Sequence, residues 1–77
     1  MERDEVLAVV REKASEVMGL ADLTEDESFT GRGVDSLAVV ELVMDLEDAF
    51  GIELTEDEVV GAPTVGALVD VVLGKAT

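Results

Sequence analysis

Residues 33–54 read GVDSLAVVELVMDLEDAFGIEL, and the fold follows from how apolar positions recur within them. Val39, Leu42, Val43, Leu46 and Phe50 return at spacings of three and four, the period of one helix face. The pattern predicts a helix from about Ser36 to Phe50, capped by Asp35 and closed by Gly51. Those five residues suffice for a core-facing stripe. Leu37, Val40 and Met44 are left on another side, interleaved with Glu41, Asp45, Glu47 and Asp48. Apolar residues in a row, rimmed by carboxylates, suggest a docking surface, and methionine adapts to varied contacts. Burial of both sides between two neighbouring helices is the competing reading, and the pattern alone leaves both open.

Upstream, residues 4–18 carry Val6, Leu7, Val10, Ala14, Val17 and Met18 at helical spacing, with Arg11, Glu12, Lys13 and Glu16 between them. Gly19 is placed to end that helix in the left-handed conformation. The connection from Leu20 to Asp35 is long for a chain of 77 residues, and Leu20, Leu23 and Phe29 are expected to peg it to the core. Downstream, Ile52 and Leu54 anchor a short link. Thr55 followed by Glu58 forms a capping box for a brief helix through Val60. Ala62-Pro63-Thr64 then interrupts the chain. Thr64 can cap a last helix carrying Val65, Leu68, Val69 and Val72, weakened slightly by Gly66 and ended by Gly74. The expected fold is all-α: a four-helix bundle of three longer helices and one short third helix, with a long loop between the first two. Length and the absence of repeats predict a single domain over residues 1–77.

The available chemistry is narrow. The chain contains no Cys, His, Tyr, Trp, Asn or Gln, which removes thiol redox chemistry, cysteine metal sites and the usual neutral-pH general base. Nineteen Asp and Glu against five Lys and Arg give a formal charge of −14. Nucleic-acid backbones and anionic membrane surfaces repel such a chain. Solubility is one reading of this charge, but its distribution supports another. From Gly33 through Gly74 there is no Lys or Arg, while Asp35, Glu41, Asp45, Glu47, Asp48, Glu53, Glu56, Asp57, Glu58 and Asp70 all lie there. A generic solvated surface mixes the two signs; this half suits basic patches on other proteins. Nor does the acidity build a calcium loop, which needs Gly at its sixth position. Loops begun at Asp45 or Asp22 place Phe50 or Glu27 there, and no metal site is expected. No apolar run reaches membrane-spanning length, and the opening MERDEV is too charged for a secretory signal. A cytoplasmic protein is expected.

Ser36 stands where the long loop meets the second helix. A serine after Asp35 and before an apolar run can be no more than part of a helix cap. Its position has a second property, because a phosphate ester is electrostatically favoured at the positive end of a helix. Another enzyme can also reach a loop–helix junction. Without His, Ser36 has no base to make it a triad-type nucleophile. It suits being modified better than doing chemistry, and no catalytic residue is expected.

Asp35-Ser36-Leu37 at the head of an acidic second helix resembles the prosthetic-group segment of acyl carrier proteins. The resemblance extends to the Val40-Glu41-Leu42-Val43-Met44 stretch, to Phe50-Gly51, to the Ser28-Phe29 peg and to Thr64-Val65 ahead of the last helix. It implies a non-catalytic carrier whose Ser36 receives a 4'-phosphopantetheine arm from coenzyme A, through a phosphopantetheinyl transferase that uses magnesium. Acyl groups would then ride as thioesters on the arm. Asp35 and Leu37 would flank the attachment point, Asp35 helping to position the serine. Leu37, Val40, Glu41, Met44, Glu47 and Asp48 would meet basic patches on acyltransferase, ketosynthase and other synthase enzymes. A monomeric carrier for fatty-acid or polyketide-type synthesis is implied. An acidic interaction module without a covalent cofactor is the alternative. One stretch departs from the fatty-acid pattern: Phe29 to Ser36 is one residue shorter, and Arg32 stands where a leucine normally plugs the core. That spacing is more similar to carriers of polyketide or peptide assembly lines.

Overall fold

The computed structural model describes residues 2–20 and 22–76. Four α-helices follow one another: α1 (Arg3–Met18), α2 (Ser36–Phe50), α3 (Glu56–Val60) and α4 (Val65–Ala76), with a 3₁₀ turn at Thr30–Arg32 inside the long loop. No strand occurs among the described residues. Helix α1 packs against both α2 and α4. Val6, Leu7, Val10 and Ala14 point from it into a core completed by Leu42, Val43 and Leu46 of α2 and by Val65, Leu68, Val69 and Val72 of α4. Val17 and Met18 are only half-buried, at the end of the stripe.

Local chemistry sets the boundaries. Gly19 ends α1 with φ at 72°, donating its N–H to the Ser15 carbonyl, and Gly51 ends α2 with φ at 65°. Both conformations are open to glycine at little expense. The capping box of α3 is complete, with the Glu58 amide donating to Thr55 Oγ1 and the Thr55 amide to Glu58. Thr64 Oγ1 accepts the Ala67 amide at 3.1 Å and so caps α4. At the other end of α4 the expectation fails. Gly74 does not stop the helix, which continues to Ala76. The two added residues include Lys75, whose ammonium lies 2.8 Å from Glu58; a cation in a last turn also complements the helix dipole.

The loop between α1 and α2 is tightly attached. Leu23 is wholly buried and Phe29 nearly so, while Leu20 is half-buried. Its carbonyls also serve α4. The Gly66 amide donates to Glu25 at 2.8 Å and the Val65 amide to Glu27 at 2.9 Å, satisfying donors that a helix start leaves open. This close approach explains Gly66, since a Cβ there would lie 3.1 Å from the Glu25 carbonyl oxygen. Arg3 adds a stitch from the start of α1, pairing with Glu25 of the loop and with Asp70 of α4.

Candidate functional site

Ser36 is the first residue of α2 and is exposed. The chain reaches it through the 3₁₀ turn, whose last residues are held by amides of Arg32 and Val34 donating to the Phe29 carbonyl at 3.1 and 3.2 Å. Gly33 turns the chain with φ at 77°, and half-buried Val34 returns it to the core. Asp35 is extended, and its carboxylate accepts the Ala38 amide at 2.9 Å. The cap predicted at Asp35 is therefore formed. Its effect is to fix the first turn of α2, and with it the backbone that presents Ser36 and the neighbouring Leu37 to solvent.

The second helix divides as its pattern suggested. Leu42, Val43 and Leu46 are buried, with Val39 and Phe50 half-buried beside them. Leu37, Val40 and Met44 keep 66, 52 and 58 % of their surface exposed, so the reading in which neighbouring helices cover both sides fails. Glu41 and Asp48 are exposed alongside them. Glu47 differs. It is half-buried, and its carboxylate accepts the Leu54 amide at 2.9 Å, holding the α2–α3 link.

The cations lie elsewhere. Lys13 pairs with Glu16, Arg32 with Glu27 and Asp22, Lys75 with Glu58, and Arg3 with Glu25 and Asp70. Arg11 donates to the Leu23 carbonyl at 2.8 Å. Among the described residues no ion pair reaches Glu41, Asp45, Glu47 or Asp48, so the negative field of α2 is uncompensated within the molecule.

Sequence reasoning missed two features. Val60 of α3 is 75 % exposed and extends the apolar face of α2. Its signal was the tandem Val59-Val60 on a five-residue helix, where half-buried Val59 takes the inward position. The second is a groove of about 670 Å³ between α2 and α3. Val39, Val40, Val43 and Met44 line one side and Val59 and Val60 the other, and Ser36 also lines it. An apolar cleft thus adjoins an exposed hydroxyl.

The family model for the phosphopantetheine attachment site matches residues 8–72. The chain belongs to the acyl carrier proteins. It is 42 % identical over 72 residues to the acyl carrier protein of Exiguobacterium sibiricum, covering 90 % of this chain and 91 % of that one. With the acyl carrier protein of Rubrobacter xylanophilus it shares 36 % identity over 80 residues, covering 100 and 99 %. Its structure resembles the crystal structure of the Thermotoga maritima acyl carrier protein with a TM-score of 0.83 and 38 % identity, covering 97 and 91 % of the two chains. Acyl carrier proteins are non-catalytic. They are modified with a phosphopantetheine group by a phosphopantetheinyl transferase and interact with synthase enzymes.

Proposed function

We propose that Ser36 of this acyl carrier protein is the residue that takes 4'-phosphopantetheine, and that α2 with Val60 of α3 is the surface its partners read. The observation that carries this is the exposed Ser36 hydroxyl at the N-terminus of α2, bordered by an apolar groove and an unpaired acidic face. The positive end of the helix favours a phosphodiester there. Once attached, the arm supplies the terminal thiol on which acyl groups are carried as thioesters. Asp35 orients the hydroxyl through the cap it makes with Ala38, and Leu37 borders it. The groove suits the apolar part of a cargo and limits its contact with water.

Leu37, Val40 and Met44 supply adaptable apolar contacts for acyltransferase, ketosynthase and related enzymes, while Glu41 and Asp48 meet basic patches on them. Glu47 serves the same face by fixing the link behind it. The chain works as a cytoplasmic monomer in polyketide-type or fatty-acid synthesis. Its short approach to Ser36, carrying Arg32, favours a dedicated biosynthetic pathway. The test is incubation of wild type and Ser36→Ala with coenzyme A and a promiscuous transferase, read by intact mass. Wild type gains one arm and the variant none. An arm on the variant moves the site to Ser15 or Ser28, and no gain on wild type leaves an acidic interaction module without a covalent cofactor.

A further inference from the structure

All three arginines of the chain bind one loop: Arg3 through Glu25, Arg11 through the Leu23 carbonyl, and Arg32 through Glu27 and Asp22. The first two reach it from α1. Arg32 belongs to the loop itself and ends its 3₁₀ turn, with only Gly33, Val34 and Asp35 between it and Ser36. Its guanidinium lies 2.5 Å from Glu27 and 3.3 Å from Asp22. Glu27 is itself fixed, since its carbonyl accepts the Val65 amide of α4 at 2.9 Å and its amide donates to Thr24 at 3.2 Å. A continuous set of bonds therefore runs from the start of α4, through Glu27, to the turn that delivers Ser36. Apolar packing along this approach is thin. Gly31, Arg32, Gly33, Asp35 and Ser36 are exposed, and only Val34 is half-buried.

From this geometry we infer that Arg32 is a positioning residue for loading of Ser36: its fork onto Glu27 and Asp22 holds the Gly33–Ser36 segment in the orientation that a phosphopantetheinyl transferase accepts. The inference rests on the proposal that Ser36 takes the arm. A guanidinium suits the task because its planar donors engage two carboxylates at once, which an ammonium does less well. Without the fork the segment keeps only its backbone bonds to Phe29 and Thr30 and the Asp35 cap, so it samples more orientations, and apparent affinity falls by the fraction that remains competent. The loss appears in KM and leaves kcat unchanged, because no group at the reacting atoms is altered.

The experiment compares wild type, Arg32→Gln, Arg32→Lys, Glu27→Gln and the double variant Arg32→Gln/Glu27→Gln. Each is loaded by a promiscuous transferase with kcat and KM measured for the carrier, and amide exchange from Gly33 to Ala38 is followed in the apo-protein. Arg32→Gln and Glu27→Gln are each expected to raise KM roughly three- to tenfold at constant kcat. The double variant should be no worse than Arg32→Gln, Arg32→Lys should recover part of the loss, and exchange at Val34 and Ala38 should quicken in Arg32→Gln. A wild-type KM for Arg32→Gln overturns the inference. So does a silent Glu27→Gln beside an impaired Arg32→Gln, which would make Arg32 a direct contact of the transferase. If wild type takes no arm, or Ser36→Ala still does, the assignment of Ser36 falls instead. Exchange then decides the clamp alone, and an unaltered rate in Arg32→Gln removes it.

Discussion

The Oε1 atom of Glu58 lies 2.8 Å from Lys75 Nζ while accepting the Thr55 amide at 2.9 Å, so one carboxylate joins the start of α3 to the end of α4. The Lys75 ammonium contributes most to holding this carboxyl well below the usual carboxylate range, at about 2, and the Thr55 amide adds to it. A depressed folded-state pKa means stability that is fully present above the unfolded value, near 4.5, and is lost as pH falls through about 2. Glu58→Gln is therefore expected to lower the melting temperature at neutral pH, and its gap from wild type to close between pH 5 and 2. Thermal melts across that range check it. A gap independent of pH would show that the carboxylate charge is not what matters.

The unpaired carboxylates of α2 predict a response to salt. Folding gathers Glu41, Asp45, Glu47 and Asp48 on one helix while every Lys and Arg is engaged elsewhere. Raising ionic strength from 0.01 to 0.15 M shortens the Debye length from about 30 to about 8 Å. The melting temperature should rise with it, and further with magnesium. A flat melting temperature would mean that the repulsion on α2 is already relieved.

Two neighbouring positions on α2 separate core from surface. Leu46 is wholly buried, and Leu46→Ala should destabilise by about 2–5 kcal/mol. Met44 is 58 % exposed, and Met44→Ala should change stability by under about 1 kcal/mol while slowing arm transfer. Glu41→Lys should slow transfer more, by setting a like charge against a basic partner, and should weaken its salt dependence. Urea melts and transfer rates over a range of salt measure both. A large loss of stability in Met44→Ala with unchanged transfer would return Met44 to the core.

The two glycines of α4 should respond in opposite directions to alanine. A Cβ at Gly74 meets nothing within 4 Å, so Gly74→Ala should gain about 0.5–1 kcal/mol from helix propensity. At Gly66 the same methyl would press on the Glu25 carbonyl at 3.1 Å and on its Cβ at 3.2 Å. The Glu25 carbonyl accepts the Gly66 amide, so it cannot retreat without lengthening that bond. Gly66→Ala should therefore lower the melting temperature. A gain there would show that the loop yields freely.

The helices, their caps and the split of α2 into a buried and an exposed side were legible because each is written in residues near one another. Asp35 and Ala38, or Thr55 and Glu58, lie three positions apart. What stayed hidden depends on partners far along the chain. Gly74 read as a terminator because nothing local reveals that Glu58 receives Lys75 one residue later. Gly66 read as a weak helix residue because the Glu25 backbone that crowds it is about forty positions away in sequence. Arg32 read only as a charge standing where a leucine normally plugs the core; its partners Glu27 and Asp22 are near in sequence, but no periodicity within a loop brings them to it. The groove beside Ser36 needs α2 and α3 side by side, and no periodicity encodes that distance.

The placement of the cations also gives the molecule an electrical polarity. With the cations in α1, the loop and the last turn of α4, the carboxylates of α2 and α3 have no cation among them in the chain. In the field of a basic partner such a body would experience a torque before any contact, turning the acidic side that carries α2 and α3 toward it. Long-range orientation of this kind raises the rate of encounter more than the lifetime of the complex. A shuttle that must leave each enzyme to reach the next gains from that asymmetry, because swift capture need not mean slow release.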